Sequence, residues 1–113
     1  MVTTAIHTSK LSYMTVLIDQ PLWPAHGTLW SHVVSDTSLD ELHEFASSVG
    51  LPERSFDLDH YDAPEHRYQE LVDAGALPVS NRELVKRLQG SGLRVSQRER
   101  RALRGGVHRL SRG

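Results

Sequence analysis

Short apolar runs and helical stripes alternate along the middle of this chain, and their periods set out its elements. Met14 to Ile18 is apolar, ends at Asp19 and is broken by Gln20 and Pro21, which predicts a buried first strand. Ser31 to Ser35 predicts a second strand, with His32 and Val34 on one face and Val33 on the other. Between them, Pro21 to Trp30 holds two prolines, a glycine, His26 and both tryptophans, and it reads as an unusually apolar loop. Phe56 and Leu58 share a face of a third short strand. That strand runs into an acidic loop through Asp59, His60, Tyr61 and Asp62, which Pro64 turns into a helix start.

The helical pattern is clearest after Ser38. Ser38 with Glu41 forms a capping box, and Leu39, Leu42, Phe45, Ala46 and Val49 make a core-facing stripe closed by Gly50. A second helix is predicted from Pro64 to about Ala74, with Tyr68, Leu71 and Val72 inward and Gly75 at its end. Ala76 to Val79 reads as a strand. Ser80 with Glu83 caps a third helix, whose inner face is Leu84, Val85 and Leu88. Ser96 with Glu99 caps a short basic helix, Gln97 to Arg104, expected to be marginal because Ala102 and Leu103 are its only apolar anchors.

Strands alternating with helices imply mainly parallel strands joined by crossovers. The expectation is an α/β fold: a single small three-layer domain, with a short, mostly parallel sheet flanked by helices. Residues 1–13, polar and without a sustained period, are expected to be a disordered leader, 14–93 the domain, and 94–113 a flexible Arg-rich tail.

Composition changes this picture in three ways. With 113 residues and 38% hydrophobic content, there is enough chain for one modest core. No cysteine is present, which excludes disulfides and thiolate metal sites and makes a cytoplasmic setting the expectation. No apolar run is long enough to span a membrane, and no signal peptide is evident. The net charge of −1 hides a segregation: residues 1–93 carry 6 Lys or Arg against 13 Asp or Glu, and residues 94–113 carry 7 Arg against 1 Glu. An acidic body argues against a broad nucleic-acid footprint, whereas a basic end can bind phosphates or fold back on the body.

The candidate chemistry gathers where strands end. In a parallel sheet, Asp19, Asp36, Asp59 and His60 share one rim. Such carboxylates can hold a hard cation such as Mg²⁺, or divide acid and base roles. Asp19 and Asp59 are the candidate metal ligands or bases, His60 the proton-transfer group, and His32 its assistant. Asp36 stands between a place on this rim and a cap for the helix near Ser38, and Asp62 reads as a cap. Trp23 and Trp30 either plug the edge of the core or wall the site, together with His26 and Tyr61. Arg67 lies in a first helical turn, where the macrodipole disfavours a cation, so it either pairs with Asp59 or Asp62 or clamps an anionic ligand. His43 reads as half-buried with a local hydrogen bond. Gly-rich phosphate loops, GxSxG, HExxH and dinucleotide fingerprints are absent.

One further pattern emerges from Val16 to Asp19, Trp23 to Gly27, Trp30 to His32, Ser35 and Asp36, Glu41 to His43, Phe45 and Ala46, His60 to Asp62, Arg67, Gly75 and Ala76. Together these residues resemble a family of small bacterial and phage proteins known only as domain of unknown function 4031. The resemblance covers Met14 to about Leu93 and implies a stand-alone cytoplasmic domain beginning near Met14. It implies no activity, so no catalytic role carries over.

The functional expectation is a hydrolase of a phosphate-containing or nucleotide-like substrate, with a divalent cation such as Mg²⁺ as its cofactor. The alternatives are a non-catalytic ligand-binding or regulatory module, or nucleic-acid binding through Arg94, Arg98, Arg100, Arg101, Arg104, Arg109 and Arg112.

Overall fold

The computed structural model describes residues 15–103; the leader expected over 1–13 and the tail beyond Leu103 lie outside the described residues. A six-stranded sheet forms the centre. Its strands are β1 (Val16–Ile18), β2 (Trp23–Ala25), β3 (Thr28–Ser35), β4 (Phe56–Asp57), β5 (His60–Pro64) and β6 (Leu77–Pro78). The order is β4-β5-β3-β1-β6, with β2 beside β3 next to the end of β1.

This sheet is mostly antiparallel, which corrects the expectation of a mostly parallel one. Only β1 and β6 run parallel; β3 is antiparallel to β1, β2 and β5, and β4 to β5. Two hairpins account for the difference. β2 and β3 turn through His26 and Gly27, both at positive φ (49° and 77°), the conformation of the tight turns that fit the twist of a hairpin. Pro24 is tolerated because β2 pairs on one side only. β4 and β5 turn through Leu58 at φ 63°, with Asp59 N–H donating to the Asp57 carbonyl at 2.7 Å. That three-residue turn carries no glycine, so nothing local announced it.

The second consequence concerns the rim. Because Val16 pairs with Ser35 in antiparallel register, Asp36 lies at the Thr15 end of β1 and Asp19 at the other. Asp36 therefore does not share a rim with Asp19; it pairs with Arg87 at 3.6 Å.

Helices cover both faces. On one, α1 (Leu39–Val49) and α2 (Tyr68–Asp73) pack Leu42, Ala46 and Leu71 against Val16, Ile18, Val33, Tyr61 and Ala63. On the other, α3 (Asn81–Ser91) packs Leu84 and Leu88 against Leu17 and Val34. The hydroxyl half of two capping boxes sits as expected, with Ser38 and Ser80 accepting from the amides of Glu41 and Glu83 at 3.1 Å, but Glu41 accepts from the Ser35 hydroxyl, which itself accepts the Ser38 amide, and Glu83 pairs with Arg87. A 3-10 turn, Glu65–Arg67, precedes α2, so the second predicted helix is shorter than its pattern suggested. Residues 97–103 are helical (α4), opened by a reciprocal Ser96 and Glu99 capping box. No described helix is long and apolar enough to cross a membrane.

Candidate functional site

The site lies on the α3 face of the sheet, where β3 and β5 run beyond the cover of the helix. Alternation along β5 sends Tyr61 and Ala63 into the core and His60 and Asp62 to the opposite face. On β3, His32 shares the α3 face with Val34, as the sequence predicted, and it pairs directly across from Asp62. His32 and His60 meet edge to face with ring centroids 5.1 Å apart. One ligand atom each from His32, His60 and Asp62 falls within 4.8 Å of the others, and the gap from His60 Nε2 to Asp62 Oδ1 is 3.0 Å.

Each histidine is held from behind by a buried carboxylate. Asp19, 1% exposed, lies in the break between β1 and β2. Its Oδ1 accepts the His32 backbone N–H at 2.6 Å, and its Oδ2 meets His32 Nδ1 at 2.8 Å and accepts from Asn81 at 2.8 Å and Trp23 Nε1 at 3.3 Å. The carboxylate thus fills a gap in the strand ladder and fixes the imidazole in one motion. Asp59, fully buried, meets His60 Nδ1 at 2.8 Å. With both Nδ1 atoms engaged, Nε2 is the nitrogen each ring has left to offer.

The charges follow from these contacts. Burial alone would raise the Asp19 carboxyl, but the hydrogen bonds from the His32 ring and backbone, with that of Asn81, hold it below its usual range. Burial likewise opposes ionisation of Asp59, and the bonds from His60 and the Val95 amide, with the Arg100 charge, override it and lower its pKa. Burial would lower His60, but bonding to Asp59 and Asp62 outweighs it and raises the pKa to about 9. His60 is therefore an imidazolium at neutral pH when no cation replaces its proton.

That linkage has a sign. A folded pKa of about 9 against 6.5 unfolded makes the His60 contribution complete below pH ~6.5 and lost as pH rises through 9. Its size is on the order of 3 kcal/mol. Urea denaturation of chelator-treated protein should show that decline, and His60→Gln should flatten it. A wild-type profile level from pH 6.5 to 9 would contradict the doubly paired imidazolium.

Two cavities of about 430 Å³ each open beside this cluster and share Trp23 and His32. One is bounded by His60, Asn81, Arg94 and Gln97 over an apolar wall from α3. The other lies among His26, Trp30, Arg54 and Asp62. Trp23, 43% exposed, and Trp30 form a cross-strand pair at this second opening, so they wall the cleft and do not plug the core. Trp30 Nε1 is tied to the Ala25 carbonyl at 2.8 Å, and His26 at the hairpin tip meets Trp30 edge-on at 6.4 Å.

Some predicted residues are placed elsewhere. Tyr61 is buried on the far side of the sheet, its hydroxyl 2.7 Å from His43 Nδ1. Arg67 takes neither predicted role: it pairs with Glu70 through two 2.8 Å contacts and also binds the Val49 carbonyl, tying α2 to the end of α1. Asp19 and Asp59 stand behind the histidines, with their oxygens engaged by protein donors. Asp62, read as a cap, is the carboxylate beside His60 Nε2 and in the cluster with His32. Asn81 was not singled out; its signal was a polar amide just inside a capped helix.

The segment after Leu93 is anchored to this site. Val95 N–H donates to Asp59 Oδ2 at 2.7 Å, and Arg100, its side chain 11% exposed, reaches Asp59 Oδ1 at 2.7 Å and Asp57 Oδ2 at 3.1 Å. One tail arginine is thus an internal counterion, and the short helix predicted to be marginal is held by it.

No curated protein and no solved structure matches the chain. Residues 16–91 match the family described as a protein of unknown function, DUF4031. That match takes in the sheet, both histidines, Asp19, Asp59, Asp62 and Asn81, and the chain belongs to this family.

Proposed function

We propose that the protein is a small hydrolase that uses a divalent transition-metal ion held by His32, His60 and Asp62. One observation carries the reading: two imidazoles and a carboxylate converge within 4.8 Å, and each imidazole is backed at Nδ1 by a buried carboxylate. Histidine ligands to metals nearly always donate their second N–H in this way, because the backing group fixes the ring and raises its basicity. Two nitrogens and one oxygen suit Zn²⁺, Mn²⁺, Fe²⁺ or Co²⁺ better than Mg²⁺, which prefers oxygen. Three protein ligands also leave a position facing the cleft.

Bound there, the cation would polarise a substrate oxygen and lower the pKa of water toward neutral. The chain's own residues do the rest. Asp19 keeps the proton of His32 on Nδ1, and Asp59 does the same for His60. Asp62 supplies a negative charge beside the cation. Binding releases the proton that His60 otherwise shares with Asp62. Trp23 and the α3 wall shield one side of the cleft from water, which strengthens every charge interaction inside it.

The test starts from chelator-stripped, full-length protein titrated with Co²⁺ and read by its visible absorption. One equivalent should bind, Zn²⁺ should displace it, and Mg²⁺ in excess should not. His60→Ala should weaken binding by more than the ~10–100-fold that loss of a backing group costs. Turnover of generic ester and phosphoester substrates should then require the metal and disappear in the same variant. Absence of stoichiometric binding at neutral pH would refute the metal site. Tight binding without turnover would leave a ligand-binding module.

A further inference from the structure

Arg94 lines the same cavity as His32 and His60, and it has no ion-pair or hydrogen-bond partner among the described residues. Its backbone is held on both sides. On one side Leu93 packs against the core of Leu17, Val34, Leu84 and Leu88. On the other, the Val95 amide is bound by Asp59, and Ser96 opens a capped helix that Arg100 anchors to Asp59 and Asp57. The Arg94 guanidinium is thereby rooted between two anchored points on the wall of the cleft, with Gln97 also lining it. Arg67, Arg87 and Arg100 pair with carboxylates, whereas Arg94 is exposed and lies on the lining of the cleft.

We infer that Arg94 and Gln97, held in place by the docked segment after Leu93, bind a phosphoryl group of the substrate. The inference rests on the metal reading above and adds the substrate class. Oxygen count decides the class: a guanidinium fork takes two oxygens and the cation a third, which a terminal phosphoryl group supplies and a carboxylate does not. Charge does not oppose it: with a divalent cation in place, the sum over Asp19, Asp57, Asp59, Asp62, Arg94 and Arg100 rises to zero, so the cleft no longer repels an anion. The subsite also lies beyond residues 16–91, so the segment that follows the family match completes the pocket.

The experiment uses full-length protein loaded with Zn²⁺ and inorganic phosphate as the probe, followed by calorimetry, with acetate as the carboxylate control. Arg94→Ala should weaken phosphate binding at least ~10-fold, the lower range for losing a charged hydrogen bond. Zn²⁺ affinity should stay unchanged, Arg94→Lys should recover part of the loss, and Arg98→Ala, exposed on the same segment and off the cavity lining, should behave as wild type. Equal phosphate affinity in wild type and Arg94→Ala overturns the inference, as does an equal loss of acetate binding. If Zn²⁺ does not bind, the metal reading has failed, and the same phosphate titration on metal-free protein decides the subsite: dependence on Arg94 keeps it and independence removes it.

Discussion

Asp19→Asn should lower metal affinity about 10–100-fold and destabilise the fold by ~2–3 kcal/mol, although it changes one atom. The wild-type carboxylate only accepts, and four donors converge on it: the His32 amide, His32 Nδ1, Asn81 and Trp23. An asparagine can satisfy the His32 amide with its carbonyl oxygen, but its NH₂ then faces the Asn81 amide and the imidazole. His32 would have to accept at Nδ1, which moves its proton to Nε2, the nitrogen needed for the metal. Asn81 and Trp23 would lose their acceptor at a site 1% exposed. Urea midpoints measure the first cost and Co²⁺ titration the second. A variant that binds Co²⁺ like wild type would show that His32 is not held by Asp19 for coordination. In that case the pair is structural alone.

Arg100→Ala should cost about 3 kcal/mol, a large part of the stability of a domain this size, and it should release the segment it anchors. Asp59 is fully buried and stays ionised through His60, the Val95 amide and Arg100 together. Without the guanidinium, a buried anion loses the one permanent counterion it has among the described residues, since under the proposed metal reading His60 would give up its charge to the cation. Asp57 loses its contact with Arg100 in the same substitution. Hydrogen exchange at the Val95 and Arg100 amides, which donate to Asp59 and the Ser96 carbonyl, should rise toward that of an open segment. Arg98→Ala, exposed and outside this network, should stay within about 0.5 kcal/mol of wild type. An unchanged urea midpoint for Arg100→Ala would show that the segment is not held by this pair.

The two substitutions probe opposite ends of one arrangement. Asp19 ties the first strand break to His32, and Asp59 ties the β4–β5 turn to His60 and to the segment beyond α3. In the proposed metal site, neither carboxylate would need to touch the cation to control it. Each sets the position, tautomer and basicity of the ring in front of it, and Arg100 draws charge from the Asp59 side. The site is therefore asymmetric: the neutral donors Asn81 and Trp23 brace Asp19 behind His32, whereas the Arg100 guanidinium braces Asp59 behind His60.

What the sequence by itself determined are the features written within a few residues of one another. Ser38, Ser80 and Ser96 mark helix starts because a hydroxyl reaches an amide three positions on, and the stripe in α1 faces the core because its spacing matches the helical turn. Alternation put His32 beside Val34, and the strand-end position of Asp19 singled it out before any contact was known. Only the tertiary structure decided how strands pair. Leu58 at φ 63° makes a hairpin where no glycine signals one, so His60 to Asp62 read as a loop although it alternates as a strand. Antiparallel pairing then sent Asp36 to the far end and brought Asp62 opposite His32, and Asp19 and Asp59 stand behind the His32 and His60 rings. The basic segment was legible as charge. Its docking was not, because the pairing of Arg100 with Asp59 spans 41 residues and depends on burial that no local pattern encodes.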